Sequence, residues 1–302
     1  MSESQKSYTY FEPGRVANLR NINLLARQAV EGFITGLHRS PHKGFSVEFA
    51  EHREYCPGDD LRHMDWVAWA RSDRYYVKQY EQETNLRAHI LLDVSGSMGY
   101  RHGGTISKFT YGCFLAACLS YLMTRQQDAV GMIAFDETVR FQLPPGATPA
   151  HLDRLFKQLE GLAPGGQTAI APTFHQLADT IAKRGLIIII SDLYDEPGEV
   201  MKALQHFAHK RHQIIVFHLL DQGELELPFE KITSLVDMET GEKLQVDPRD
   251  LAEPYQREMA EFINNYRRQC SDRNIEYVQT TTTEPYDRML LHYLARRKSI
   301  GK

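Results

Sequence analysis

Apolar residues along most of the chain follow two patterns that alternate with each other. Short continuous apolar runs, typical of strands buried on both faces, alternate with segments whose apolar residues recur every three to four positions, as in amphipathic helices. The runs predict strands at residues 89–94, 129–135, 186–190, 214–220 and 275–280, with an edge strand at 139–143. The periodic segments predict helices at residues 108–125, 150–159, 171–183, 198–209, 251–270 and 285–297. Strands that alternate with helices predict an α/β fold with a doubly wound, mostly parallel sheet covered on both faces.

Two blocks depart from this alternation. Residues 38–83 have a strand-like pattern, a turn, a short helix-like segment with Trp66 and Trp69, and a second strand-like pattern. The block is either a structural β unit with the tryptophans in its core or an interaction surface, since Trp, Tyr and Arg are favoured at interfaces. Residues 221–249 are short, acidic and β-like around 231–235 and 242–246. We expect them to return to the first block and complete a small β subdomain.

These patterns predict five segments. An N-terminal helical segment occupies residues 1–37, and the first part of the β subdomain occupies 38–86. The main α/β domain runs from 87 to 220, the second part of the subdomain is an insertion at 221–250, and the C-terminal part of the α/β domain occupies 251–302.

The composition excludes several classes of protein. A net charge of -4 gives no reason to expect nucleic acid as a partner, and the small basic-aromatic stretches at 38–43 and 266–268 do not change that. The four cysteines form no Cys-x-x-Cys pair, which argues against a cysteine metal site, and we expect Cys113 and Cys118 in the core. We find no pattern typical of a signal peptide or a membrane span, so the expected location is the cytoplasm.

The candidate chemistry begins where the first strand of the main domain ends. Asp93 closes an apolar run, and Ser95 and Ser97 follow it at a spacing of two. Open α/β sheets place their ligand sites beyond the carboxyl ends of the strands. One carboxylate and two hydroxyls are hard oxygen ligands of the kind that Mg²⁺ accepts.

The Asp-x-Ser-x-Ser pattern resembles the metal-ion-dependent adhesion site (MIDAS) of von Willebrand factor A domains. That site also uses a threonine from a second loop and an aspartate from a third. The matching positions here are Thr168, in a glycine-rich loop, and Asp192, after the apolar run 186–190. The resemblance implies a von Willebrand A-like fold and a site for Mg²⁺, or for Mn²⁺ or Ca²⁺, at Asp93, Ser95, Ser97, Thr168 and Asp192. A simpler alternative is that these side chains only cap the helices that follow them.

A second resemblance is narrower. Residues 44–55, 57–66, 70–78 and 236–242 are similar to the signature of domain-of-unknown-function family 58, whose members are von Willebrand A-like proteins often encoded beside MoxR-type AAA+ ATPases. Many members carry transmembrane helices. Because no such pattern is present here, a membrane role is not carried over to this chain.

The resulting hypothesis is a metal-dependent protein–protein interaction adaptor without enzymatic activity. In the family-like geometry a client protein supplies a carboxylate to the metal, and a MoxR-type ATPase uses ATP to remodel or mature that client. One alternative is a stand-alone metal-dependent scaffold that needs no ATPase. Another is a magnesium-dependent phosphohydrolase, which is disfavoured because no lysine lies in the three loops and no Gly-Lys-Ser/Thr phosphate loop is present.

Overall fold

The computed structural model of the protein describes residues 21–39, 52–54, 75–78, 86–102, 106–229 and 231–300. Its main feature is a six-stranded sheet with the strand order β10-β7-β6-β3-β4-β5. Every neighbouring pair is parallel except β4 and β5, which are antiparallel. The six strands are β3 (Arg87–Asp93), β4 (Ala129–Phe135), β5 (Val139–Gly146), β6 (Leu186–Ser191), β7 (Gln213–Leu220) and β10 (Glu276–Thr281).

Helices cover both faces of this sheet. The helices are α1 (Ile22–Arg39), α2 (Lys108–Arg125), α3 (Pro149–Gly161), α4 (Ile170–Thr180), α5 (Pro197–His209), α6 (Gln222–Glu226), α7 (Pro248–Asp272) and α8 (Tyr286–Ile300). Buried residues of α1, α2, α3 and α8 form one apolar core with the sheet, and those of α4, α5 and α7 form a second. The predicted α/β fold class, a doubly wound and mostly parallel sheet, is therefore confirmed.

Alternation along β3 explains how a single strand serves both cores. Ile90 and Leu92 belong to the core under α2, whereas Leu91 belongs to the core on the opposite face. Each side chain is fully buried, and burial of such a side chain contributes about 1.5–3 kcal/mol. The expectation that Cys113 and Cys118 lie in the core is also confirmed.

The chain reverses direction across the sheet between β3 and β6. From β3 it moves to β4 and β5 on one side, and then returns to β6, β7 and β10 on the other. The loops after β3 and β6 consequently separate and leave a crevice at the carboxyl edge of the sheet, where ligands bind in such folds. Asp93 ends β3, and Asp192 directly follows β6.

Two small sheets accompany the main one. Strands β1 (His52–Glu54) and β2 (Tyr76–Lys78) pair antiparallel, and β8 (Thr233–Val236) and β9 (Lys243–Val246) form a separate antiparallel hairpin. Most of the 38–86 block, with Trp66 and Trp69, lies outside the described residues. The predicted joining of the two blocks into one subdomain, and the five-segment division, stay predictions.

No helix in the described part of the chain combines the length and the apolar character that crossing a lipid bilayer requires.

Candidate metal centre

Asp93 is fully buried at the carboxyl end of β3, and its two carboxylate oxygens have different partners. The backbone N–H of Ser95 donates to Oδ1 at 2.9 Å, which turns the chain sharply after the strand. The hydroxyl of Ser191, the last residue of β6, donates to Oδ2 at 2.6 Å. The carboxylate thus joins the ends of the two strands that flank the switch point.

Ser95 directly precedes a short 3-10 turn (Gly96–Gly99) that follows β3, and Ser97 lies within it. Their hydroxyl groups form a hydrogen bond with an oxygen–oxygen distance of 3.0 Å, and the side chain of Ser95 makes no capping hydrogen bond to this turn. Two neighbouring ligands in an octahedral shell with bonds of about 2.1 Å also lie about 3.0 Å apart. The hydroxyl pair therefore has the separation that two adjacent magnesium ligands need.

The loop that carries Thr168 is bound to the first loop through backbone hydrogen bonds. The N–H of Gly165 donates to the carbonyl of Val94 at 2.8 Å, and the N–H of Gly96 donates to the carbonyl of Gly166 at 3.0 Å. Thr168 itself contacts a residue outside the predicted set. Its backbone N–H donates to Glu239 Oε2 at 2.9 Å, and its hydroxyl donates to Glu239 Oε1.

Asp192 is also fully buried, and it forms an ion pair with a buried lysine. The ammonium of Lys108, the first residue of α2, lies 2.6 Å from Asp192 Oδ2 and also contacts the carboxylate of Glu224. Burial alone would lower the pKa of Lys108, but attraction to the two carboxylates outweighs this effect and raises the pKa above its ordinary value. Lys108 is therefore charged, and it neutralises part of the acidic edge.

The local electrostatics leave an excess of negative charge beside the hydroxyl pair. Burial, followed by repulsion from Asp192, raises the pKa of Asp93 to about 7, although hydrogen bonds from Ser191 and Ser95 lower it. The ammonium of Lys108 contacts Asp192 and Glu224, whereas in the described structure no ion pair joins it to Asp93. A cation bound between the loops would relieve the repulsion that raises the pKa of Asp93.

Other residues cap the neighbouring helices. Ser107 caps α2, since its hydroxyl accepts a hydrogen bond from the backbone N–H of Thr110. Asp195 accepts hydrogen bonds from the first N–H groups of α4, and the carboxylate of Glu196 caps α5. In the described structure, the helix-capping alternative therefore does not account for the five predicted site residues.

The donor set fits a hard cation better than a transition metal. No group of three or more His, Cys, Asp and Glu side chains suited to holding a metal is present among the residues that the structure describes. An ion at this edge would therefore depend on the hydroxyls together with the two aspartates. Hydroxyl and carboxylate oxygens suit Mg²⁺.

The structure brings four of the five predicted residues together directly. Asp93, Ser95 and Ser97 share one loop, and Asp192 lies close enough to Asp93 to raise its pKa. Thr168 lies on a loop bound to theirs, but its hydroxyl donates a hydrogen bond to Glu239.

Sequence reasoning missed three charged residues at this edge, Lys108, Glu224 and Glu239. A signal for the first was present, because Lys108 begins a helix that has no acidic residue in its first turn. A cation is unfavourable at a helix N-terminus, so a buried carboxylate partner was to be expected. Glu239 lies in the family-like segment 236–242, but nothing in that segment indicates that it contacts Thr168, 71 residues away in the chain.

The fold and the location of this site define the class of the protein as a von Willebrand A-like domain. The protein-family model described as "Protein of unknown function DUF58" matches residues 51–263, which is more than half of the chain. The chain therefore belongs to the DUF58 family, as the sequence signature predicts.

Curated relatives share this family without a known role. Uncharacterized proteins of Mycobacterium bovis and Mycobacterium tuberculosis are 28% identical over 244 residues, covering 78% of this chain and 75% of theirs. Among solved structures, the conserved hypothetical protein BatB from Bacteroides thetaiotaomicron is 20% identical, with a TM-score of 0.46 over 70% of this chain and 99% of BatB. The VWA domain of SpRpn10 is 10% identical, with a TM-score of 0.39 over 70% of this chain and 95% of that domain. These structural likenesses are distant, so the fold assignment rests on the strand order described above.

Proposed function

We propose that this protein is a metal-dependent protein-recognition adaptor that works with a MoxR-type AAA+ ATPase on client proteins. The observation that carries the proposal is the hydroxyl pair of Ser95 and Ser97, 3.0 Å apart, beside the buried Asp93 and Asp192 at the switch point of the sheet. Mg²⁺ would be held by these four residues and Thr168, and an ion there would offer a coordination position to a carboxylate of the client.

Asp93 and Lys108 prepare the site by fixing its loops and balancing its charge. Asp93 holds the turn after β3 and links it to β6 through Ser191, so the serine loop cannot move independently of the sheet. Lys108 balances the charge of Asp192 from a fully buried position. The hydroxyls of the serine loop and the carboxylate of Asp93 therefore remain for recognition. A rigid, preformed site of this kind minimises the ordering cost of binding.

The choice of a MoxR-type ATPase as the partner rests on the family resemblance. Because the proposed partner consumes ATP, the cytoplasm is the compartment in which we place the pair. The stand-alone scaffold differs from the adaptor only in lacking this partner. A phosphohydrolase would need a cationic group facing the substrate, and Lys108 is fully buried between two carboxylates.

Titration calorimetry with MgCl₂ tests the metal centre, with wild type compared to Asp93→Asn. The substitution keeps the shape of the side chain and removes its charge, so we expect Mg²⁺ affinity to fall by about 100-fold. Equal affinity in the two proteins would remove the metal from the proposal.

A pull-down with the purified MoxR-type ATPase of the same organism tests the partner. Both proteins should be kept in Mg²⁺ and ATP, and wild type compared with Asp93→Asn, because a chelator would also disable the ATPase. Loss of binding in the variant alone supports a metal-dependent adaptor. Absence of binding to wild type would favour the stand-alone scaffold, and Mn²⁺-dependent hydrolysis of a phosphate ester that is lost in Asp93→Asn would favour the phosphohydrolase.

A further inference from the structure

The β8–β9 hairpin presents a carboxylate to the metal centre from a well-defined turn. Asp237, which follows β8, accepts hydrogen bonds from the backbone N–H groups of Glu239 at 2.7 Å and Thr240 at 3.1 Å. Gly241 closes the turn with a φ of 74°, a conformation that favours glycine. The turn therefore fixes the direction in which the Glu239 backbone faces.

The tip of this hairpin lies directly on the serine loop. A Cβ atom at Gly96, between the two serines, would lie 2.7 Å from the carbonyl oxygen of Met238 and 3.3 Å from Cγ of Glu239. Only a glycine permits this approach, because any larger residue would push the hairpin away from the site. A Cβ atom at Gly99 would likewise lie 3.6 Å from Cε of Met238.

Both carboxylate oxygens of Glu239 accept hydrogen bonds from one residue of the proposed metal set. Oε2 accepts from the Thr168 N–H at 2.9 Å, and Oε1 accepts from the Thr168 hydroxyl. Among the described residues, the hydrogen-bond donors to this carboxylate are both on Thr168. A further carboxylate has thus been brought to an edge that already holds Asp93, Asp192 and Glu224, with no basic residue of the described chain paired to it.

The hairpin that delivers this carboxylate is weakly supported. Each of its strands has four residues, and an isolated two-stranded hairpin is only marginally stable in water. The apolar side chains of Ile232, Val236, Met238 and Leu244 remain about half or more exposed. Separation of the hairpin from the serine loop would consequently expose little additional apolar surface.

We propose that Glu239 is a built-in occupant of the carboxylate position of the metal centre. A partner gains access by replacing it with an acidic side chain of its own, which takes over the two donors of Thr168 while the hairpin moves aside. This inference rests on the proposed metal-dependent recognition and names its ligand, an Asp or Glu side chain on an exposed segment. While Glu239 occupies this position, weakly binding carboxylates do not reach the metal centre of the free protein.

Acetate and Mn²⁺ together test this inference. Bound Mn²⁺ is measured by loss of the free-ion electron paramagnetic resonance signal, and access of a carboxylate is measured by broadening of the acetate methyl resonance. Glu239→Ala should bind Mn²⁺ and broaden acetate strongly. The matched control is Glu242→Ala, an equal change of charge at an exposed residue directly after the same turn, which should behave as wild type.

The expected difference is about ten-fold in apparent acetate affinity if the hairpin is closed about 90% of the time. Mn²⁺ binding with equal acetate broadening in wild type and Glu239→Ala would overturn the built-in occupant and leave the metal proposal standing. Failure of wild type and both variants to bind Mn²⁺ would overturn the metal proposal, and the occupant with it.

Hydrogen exchange in EDTA supplies a readout that needs no metal. Amides of residues 233–246 should exchange faster in Glu239→Ala than in wild type or Glu242→Ala, because the two bonds to Thr168 are lost. Glu239→Gln, which keeps one acceptor oxygen, should fall between them. Equal exchange in wild type and Glu239→Ala would show that the carboxylate does not hold the hairpin and would overturn the inference.

Discussion

The two edges of the same parallel sheet handle buried polar groups in different ways. At the amino edge, before the strands begin, the polar residues are mostly histidines bonded to the backbone. His212 accepts from the N–H of Gly185 and contacts the carbonyl of Ile181, and His151 contacts the carbonyl of Val130 at 2.7 Å. Burial lowers the pKa of His212 below its ordinary value.

At the carboxyl edge several buried acidic and basic side chains lie in close contact. Asp93, Asp192 and Lys108 are all fully buried there, and Glu224 and Glu239 add two more carboxylates. Buried charges cost stability unless they are paired, and removal of one partner leaves the other uncompensated. The comparison teaches that this fold concentrates its closely paired buried charges at the edge that we propose for binding, whereas the other edge holds mainly histidines and one buried carboxylate, Asp128, which accepts a hydrogen bond from the backbone N–H of Leu86.

The largest effect that tests this difference is expected for Lys108→Met. The substitution leaves Asp192 and Glu224 buried without their ammonium, which should lower the free energy of unfolding by about 3–5 kcal/mol. Urea denaturation with excess EDTA measures it, and the exposed pair variant Lys202→Met should show no measurable change. Stabilisation by added Mg²⁺ should be larger in Lys108→Met than in wild type, because the site is more negative.

A small effect of Lys108→Met on unfolding would mean that the carboxyl edge tolerates unpaired charge. That result would remove the distinction between the two edges.

The second prediction concerns pH and the amino half of β3. Burial, and then electrostatic repulsion by His212 and Arg87, lower the pKa of His89 from 6.5 to about 4. Between those values the unfolded chain binds more protons than the folded protein, so stability is lost as the pH falls through this range. Relative to His89→Leu, wild type should lose on the order of 2 kcal/mol between pH 7 and pH 5.

Urea denaturation of both proteins at the two pH values measures this difference. Contributions from other groups, including Asp93, cancel in the comparison. The exposed His209→Leu serves as control and should follow the wild-type profile. Parallel profiles for wild type and His89→Leu would show that His89 is not held neutral.

These predictions also show what could be foreseen from the sequence. The strand that ends at Asp93, and the loop with Ser95 and Ser97 after it, were predictable because apolar runs and small polar residues are local signals. The predicted and observed spans of β4 and α2 agree to the residue. The Lys108–Glu224 contact joins residues 116 positions apart, and its geometry depends on how α2 packs against the segment after β7. No local pattern encodes such a distance, and the same holds for Glu239 and Thr168.

The third prediction isolates a residue that supports the site without belonging to the proposed ligand set. The Ser191 hydroxyl donates to Asp93 Oδ2 and accepts from the N–H of Leu193 at 2.9 Å. Ser191→Ala should weaken Mg²⁺ binding about 10-fold, because the orientation of Asp93 is lost while its charge remains. Calorimetry measures this, with Ser120→Ala, a buried serine within α2, as the matched control. Equal losses in both variants would point to general destabilisation.

The smallest effect is expected for a substitution at the amino edge, which tests whether the two edges are independent. The Thr148 side chain caps α3 by accepting from the N–H of His151, so Thr148→Ala should lower the free energy of unfolding by about 1 kcal/mol, whereas Thr148→Ser should retain stability. Because the cap lies at the opposite end of the sheet from Asp93, Mg²⁺ affinity should be unchanged in both variants. If calorimetry showed weaker Mg²⁺ binding in Thr148→Ala, the amino edge would contribute to the site, and the division of the sheet into a closing edge and a binding edge would fail.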